Sequence, residues 1–184
     1  MTAQDILKQY FGYDSFRPGQ DELVRAILSG RDTLGIMPTG AGKSICYQVP
    51  AMLFPGLTLV ISPLISLMKD QVNTLLQMDI SAAYINSSLS LQEYRETLRE
   101  MKQNGYRIVY VAPERLHSEA FLKVCSQIQI PFLAVDEAHC ISQWGQDFRP
   151  SYLTIRDFTE RLPDRPTIGA FTATATPDVR QDIE

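Results

Sequence analysis

The stretch from Thr33 to Ser44 constrains the fold more than any other part of the chain. A short apolar strand leads to Met37 and Pro38, and a helical pattern begins at Lys43 directly after two glycines. Glycines allow backbone N–H groups to curl around an anion, and a helix N-terminus adds a partial positive charge. The pattern therefore predicts a phosphate-binding loop between a strand and a helix.

This phosphate loop, residues 37–44, carries specific chemistry. Lys43 is expected to reach the β- and γ-phosphates of a nucleotide, and the Ser44 hydroxyl to bind Mg²⁺. The usual pattern G-x-x-x-x-G-K-[ST] asks for glycine where this chain has Met37. The rest of the loop still permits close backbone approach, so we predict that the phosphates are held by Met37, Pro38, Thr39, Gly40, Ala41, Gly42, Lys43 and Ser44. The alternative is a glycine-rich turn with an exposed lysine.

The remaining chain alternates between strand and helix patterns. Apolar runs predict strands at 57–61, 82–85, 107–111, 132–135 and 167–171, and helices are predicted between them, including 119–128 and 152–162. Such alternation is typical of crossover units. We therefore predict one α/β domain over residues 1–184, with a mostly parallel central sheet and helices on both faces.

Polar clusters follow these predicted strands. Ligands of open parallel sheets collect at the carboxyl ends of the strands, so the clusters should share one edge. Beyond the phosphate loop they are residues 62–64, 112–115, 136–139 and 172–174.

Asp136 and Glu137 follow the apolar run Leu133–Val135. Charge at the end of a buried strand is costly unless it is neutralised, and Mg²⁺ would neutralise it. We expect Asp136 to hold the metal and Glu137 to accept a proton from the water that attacks the γ-phosphate. Without a phosphate loop upstream, a helix N-cap pair would be the better interpretation.

Residues 143–149, named here the aromatic loop, interleave Trp144 and Phe148 with Arg149. Aromatic rings stack on bases and arginine holds phosphate, which predicts a contact with single-stranded nucleic acid. A hydrophobic staple beneath a surface loop is an equal alternative. His139 is most simply a core histidine with a satisfied hydrogen bond, and Gln20 either pairs with an adenine edge or sits at an exposed helix start.

Composition limits the other function classes. The net charge of −4 provides no global attraction for nucleic acid, so binding would need a local patch. The three cysteines lack Cys-x-x-Cys spacing, which suits reduced thiols, and neither a signal sequence nor an apolar run of membrane-spanning length is present. These features predict an intracellular protein without membrane contact.

The motifs together resemble the first RecA-like motor lobe of the RecQ family of DNA helicases, in helicase superfamily two. The resemblance covers nearly the whole chain. It rests on the phosphate loop and on Phe11-Gly-Tyr, Phe16-Arg-Pro-Gly-Gln20, Ser62-Pro-Leu-Ile-Ser-Leu-Met-Lys-Asp-Gln71, Ala112-Pro-Glu-Arg115, Asp136-Glu-Ala-His139, Cys140 to Pro150 and Thr172-Ala-Thr-Ala-Thr176.

This resemblance implies ATP and Mg²⁺ as cofactors and 3′ to 5′ movement on DNA during repair and recombination. If the protein is bacterial, the resemblance implies a place in the cytoplasm or nucleoid. Adenine contacts would come from Tyr13, Arg17 and Gln20. Contacts with single-stranded or partly duplex DNA, or coupling to hydrolysis, would come from Ser62, Leu64, Lys69, His139, Gln143, Trp144, Phe148, Arg149, Thr172 and Thr174. Gln146 stands where the family often carries histidine, which leaves its part in coupling open.

The family closes ATP between two lobes, and the second lobe supplies an arginine to the γ-phosphate. That lobe and the zinc-binding and winged-helix regions are absent from these residues, which indicates a piece of a longer protein. We therefore expect the isolated lobe to bind nucleotide weakly and to hydrolyse it poorly. A superfamily-two RNA helicase is the alternative.

Overall fold

A computed structural model of the chain describes residues 1–145 and 147–184, so the prediction for Gln146 lies outside the described residues. Within these ranges, six strands form one sheet: β1 (Thr33–Ile36), β2 (Thr58–Ile61), β3 (Ala82–Ile85), β4 (Ile108–Val111), β5 (Phe132–Val135) and β6 (Thr167–Thr172). The strand order is β1-β6-β5-β2-β4-β3, and every pairing is parallel. The predicted parallel sheet is confirmed.

From α2 onwards, the helices in the described ranges alternate with these strands. They are α1 (Ala3–Phe11), α2 (Gln20–Leu28), α3 (Lys43–Leu53), α4 (Ile65–Gln77), α5 (Leu91–Lys102), α6 (Glu119–Cys125), α7 (Ile155–Glu160) and α8 (Pro177–Ile183). None of them is both long and apolar enough to span a membrane.

Local capping explains where two helices begin. Thr2 and Ser90 each accept a hydrogen bond from the backbone N–H three residues on, and the acid at that position bonds back to the cap. These reciprocal capping boxes satisfy donors that a helix start leaves unpaired. Gly12 caps the C-terminal end of α1, and its φ of 73° lies in the left-handed region that favours glycine.

Two predicted helices are shorter in the structure. The helix predicted over 119–128 ends at Cys125, because the following turn tightens and the Gln127 N–H bonds to the Val124 carbonyl three residues back. The helix predicted over 152–162 begins instead with a 3₁₀ turn, Pro150–Thr154. That turn brings the buried Tyr152 hydroxyl to the Asp136 carbonyl, to which it donates at 2.8 Å.

Helices cover both faces of the sheet, as predicted. Strand residues alternate between the faces, so Leu59 and Val60 belong to different apolar clusters. One cluster packs against α5, α6 and α7, and the other against α3 and α4. β2, β4 and β5 are buried along their full length, which accounts for their continuous apolar sequence.

Candidate nucleotide and nucleic-acid site

The phosphate loop turns through Gly40 and Gly42, whose φ angles of 82° and 81° lie in the left-handed region. A Cβ on Gly42 would lie 2.5 Å from the Gln20 Nε2, whereas a Cβ on Gly40 would meet no atom within 4 Å. α3 begins at Lys43, and the Lys43 Nζ donates to the Met37 carbonyl at 3.3 Å. The lysine ammonium therefore lies over the loop that precedes it.

Met37 is compatible with this loop because its side chain lies in the core. It is 7% exposed, and the Cys46 thiol contacts its sulfur at 3.7 Å. Its N–H donates to the Thr172 carbonyl at 2.9 Å, which extends the pairing of β1 with β6 by one residue. The side chain that replaces the usual glycine thus packs inward.

Gln20 and Arg17, which precede the phosphate loop in the chain, donate hydrogen bonds to its backbone carbonyls. The buried Gln20 amide donates to the carbonyls of Ala41 at 3.1 Å and Gly42 at 3.0 Å, and its Oε1 accepts from the Arg17 N–H at 2.9 Å. The Arg17 guanidinium donates to the Gly40 carbonyl at 2.9 Å. Sequence reasoning missed this tether, since no local pattern indicates a bond across more than twenty residues. Adenine contact by Gln20 stays a prediction, and its amide is engaged with the loop in this structure.

A cavity of about 320 Å³ lies beside the loop. Its lining brings together the three predicted adenine contacts, Tyr13, Arg17 and Gln20, with Gly40 and Ser44 of the loop. A larger cavity of about 640 Å³ lies against α7 and α8 and contains none of the predicted nucleotide contacts. The smaller cavity is therefore the better candidate for a base, because it adjoins the phosphate loop.

The acidic pair follows β5, and β6 alone separates β5 from β1 in the sheet. Asp136 is 7% exposed, and its Oδ1 accepts from the Glu137 N–H at 3.0 Å. Burial and then the charge of Glu137 raise the pKa of Asp136 to about 6, while that N–H and the Lys43 ammonium act to lower it. Because β1, β6 and β5 are parallel neighbours, the segments that follow β1 and β5 lie at one edge of the sheet.

A chain of polar contacts links Glu137 to the end of β6. Glu137 has a left-handed backbone (φ 50°), which costs about 1–3 kcal/mol in a non-glycine residue. Its Oε2 lies 3.3 Å from the His139 Nδ1, which lies 2.9 Å from the buried Thr172 Oγ1. Thr172 donates to the Thr174 carbonyl at 3.0 Å. The structure therefore connects residues 136–139 with residues 172–174.

In the described part of the aromatic loop, Gln143 and Trp144 are exposed, Trp144 at 77%, and Phe148 and Arg149 are half-buried. The buried Ser142 hydroxyl supports the loop, accepting from the Trp144 N–H at 3.2 Å and donating to Asp182 at 2.6 Å.

Arg149 joins the aromatic loop to the turn after β2. Its guanidinium contacts the Asp147 carboxylate at 3.3 Å and donates to the Pro63 carbonyl at 3.4 Å. In that turn Leu64 is exposed, and Lys69 is exposed on α4. Ser62 is only 2% exposed, with its hydroxyl 3.5 Å from the Leu64 N–H, so here it shapes the turn.

Comparison with known proteins gives a consistent result. The model of the DEAD/DEAH box helicase family matches residues 17–183. The ATP-dependent DNA helicase RecQ of Bacillus subtilis (strain 168) is 56% identical over 182 residues, and that of Pasteurella multocida (strain Pm70) is 50% identical over 182 residues. These alignments cover 98% and 99% of this chain but 31% and 29% of the relatives, so the chain spans about a third of their length. They confirm the resemblance to RecQ helicases.

Solved structures agree on the fold. The DUF1998 helicase MrfA superimposes with a TM-score of 0.77 at 17% identity, over 98% of this chain and 31% of MrfA. At this identity the similarity shows a shared fold.

Proposed function

The chain belongs to the DEAD/DEAH box helicase family, and from this premise we propose that it is the first RecA-like motor lobe of an ATP-dependent DNA helicase. The parent protein would hydrolyse Mg-ATP to move 3′ to 5′ along single-stranded DNA and to unwind partial duplexes during repair and recombination inside the cell. The observation that carries this proposal is the shared sheet edge of the phosphate loop, after β1, and the acidic pair, after β5. A triphosphate held by the loop would face the carboxylates.

The residues at this edge fit Mg²⁺. Ser44 offers a hydroxyl oxygen and Asp136 a carboxylate, which are ligands that Mg²⁺ prefers. Asp136 is buried with a raised pKa, so a neighbouring cation would stabilise its charged form. When bound, Mg²⁺ would neutralise charge on the phosphates.

Each side chain then has a role in hydrolysis. Backbone N–H groups of residues 37–44 and the Lys43 ammonium would bind the phosphates. Glu137 would take the proton of the attacking water, and its carboxylate lies 3.3 Å from the His139 Nδ1. Tyr13, Arg17 and Gln20 would contact adenine in the adjoining cavity, although Gln20 would first have to give up bonds to the loop.

DNA would run past the exposed Trp144, Leu64 and Lys69. Trp144 would stack on a base. Arg149 contacts both the turn after β2 and Asp147 of the aromatic loop. Binding of its guanidinium to a DNA phosphate would therefore alter its contacts with both segments. The bond between His139 and Thr172 would carry that signal towards Glu137.

The isolated lobe would bind nucleotide weakly and turn it over slowly, because a second RecA-like lobe supplies an arginine to the transition state. An arginine of this kind is worth about 10³–10⁵ in rate. Brisk hydrolysis by the 184-residue chain, stimulated by single-stranded DNA, would contradict this part of the proposal.

The test of the proposal uses the parent protein. Lys43→Ala should lower DNA-stimulated ATP hydrolysis by at least about 10²-fold, as loss of a charge-stabilising donor does in other enzymes. The control is Lys123→Ala, an exposed lysine on α6 away from the sheet edge. Full activity in Lys43→Ala would refute the assignment. Partial duplexes with 3′ or 5′ tails test the direction, and stimulation by RNA rather than DNA oligonucleotides would favour the alternative, a superfamily-two RNA helicase.

A further inference from the structure

Three potential metal ligands converge where the acidic pair meets the aromatic loop. The Cys140 Sγ lies 3.9 Å from the His139 Nε2 and 3.8 Å from the Asp147 Oδ2, and the three ligand atoms all lie within 4.8 Å of one another. In a tetrahedral zinc site with bonds of about 2.0–2.3 Å, ligand atoms are separated by about 3.3–3.8 Å. Side-chain adjustments of about 1 Å or less would therefore complete the geometry.

The hydrogen bonds of His139 prepare it as a ligand. The single hydroxyl proton of Thr172 goes to the Thr174 carbonyl, so the Thr172 oxygen accepts from the His139 Nδ1–H. The Glu137 carboxylate lies 3.3 Å from the same nitrogen. The Nε2 lone pair is thereby left to face Cys140. Metal-binding histidines usually show this arrangement, in which the second ring nitrogen donates to a carboxylate or another oxygen.

We propose that His139, Cys140 and Asp147 form a site for Zn²⁺, with water as the fourth ligand. Sulfur and imidazole ligands favour Zn²⁺ over Mg²⁺, so this site is chemically distinct from the proposed Mg²⁺ site at Ser44 and Asp136. The ion would enter from the side of Asp147, whose side chain is 51% exposed, whereas Cys140 is fully buried.

Binding has two consequences within the site. Burial raises the pKa of the free Cys140 thiol to about 12, so the ion displaces the thiol proton, which leaves to solvent. The Asp147 Oδ2 that would bind the metal also contacts the Arg149 guanidinium at 3.3 Å. Zinc binding would therefore compete with this contact within the aromatic loop.

The test is a titration of the 184-residue chain with Zn²⁺ against a chromogenic chelator, and with Co²⁺, whose thiolate bond has a charge-transfer absorption. We expect one ion per chain, and affinity at least about 10-fold lower in both Cys140→Ser and Asp147→Asn. Cys125→Ser, which removes a buried thiol on α6, is the matched control and should bind as the native chain does.

Circular dichroism establishes that each variant is folded. Asp147→Asn changes a largely exposed side chain, so it keeps the test decisive even where Cys140→Ser fails to fold. Equal binding by the native chain and a folded Asp147→Asn variant, absence of binding by the native chain, or displacement of Zn²⁺ by millimolar Mg²⁺ would each overturn the proposal.

Discussion

Replacing Asp136 with asparagine should stabilise the folded chain at pH 8 while it removes a proposed metal ligand. The carboxylate is buried beside the charge of Glu137, and its pKa is raised from 3.8 to about 6. Asparagine has nearly the same shape, can still accept the Glu137 N–H, and carries no charge. The native charge is thus a cost to folding that the variant avoids.

The pH dependence follows from linkage. Between about pH 4 and pH 6 the folded chain keeps a proton on Asp136 that the unfolded chain has released, so the free energy of unfolding falls as pH rises. Above about pH 6 this decrease in the free energy of unfolding is nearly complete. A shift of about two pKa units at about 1.4 kcal/mol each corresponds to about 3 kcal/mol.

The assay is urea or thermal unfolding of the 184-residue chain without nucleotide. At pH 8 the free energy of unfolding of the Asp136→Asn variant should exceed that of the native chain by about 3 kcal/mol, which for a chain of this size raises Tm by about 6–12 °C. At pH 4 the advantage should fall below about 1 kcal/mol. The exposed Asp164→Asn variant, with the same chemical change, controls for general charge effects.

The result that would refute the reasoning is an Asp136→Asn variant that is less stable than the native chain at pH 8, or one whose advantage is equal at pH 8 and pH 4. Either would mean that burial and the charge of Glu137 do not penalise this carboxylate in the folded state.

Three further predictions concern the loops. Gly42→Ala should destabilise the chain more than Gly40→Ala, because both have positive φ but only Gly42 would place a Cβ in collision; equal losses in thermal unfolding would contradict this. Trp144→Ala should change the free energy of unfolding by less than about 0.5 kcal/mol, yet weaken binding of single-stranded DNA by the parent about 5-fold or more. Leu91→Ala, which changes another exposed side chain, is the control, and unchanged DNA binding by Trp144→Ala would exclude stacking. Thr172→Val should lower the free energy of unfolding by about 1–3 kcal/mol, since a buried hydroxyl loses two partners; unchanged urea unfolding would contradict that.

Much of the fold was predictable because its signals are local. Leu133–Val135 is a continuous apolar run since β5 is buried on both faces, and Ser90 begins α5 through a capping box that spans only four residues. Helix ends were less predictable. The 3₁₀ turn before α7 carries the contact of Tyr152 with the Asp136 carbonyl, and this contact between distant segments has no local sequence pattern.

The candidate site divides in the same way. Glycine spacing, the lysine-serine helix start and the acids after a strand are local signals, so the amino-acid sequence alone predicted that the phosphate loop and the acidic pair follow strands of one parallel sheet. The strand order then places both segments at the same edge of that sheet. Three features are visible only in the folded chain. They are the hydrogen bond from Gln20 to the Gly42 carbonyl, the raised pKa of Asp136 and the short distance between Cys140 and Asp147. Each depends on how closely separate segments pack and how much water they exclude, and neither quantity is encoded in residue spacing.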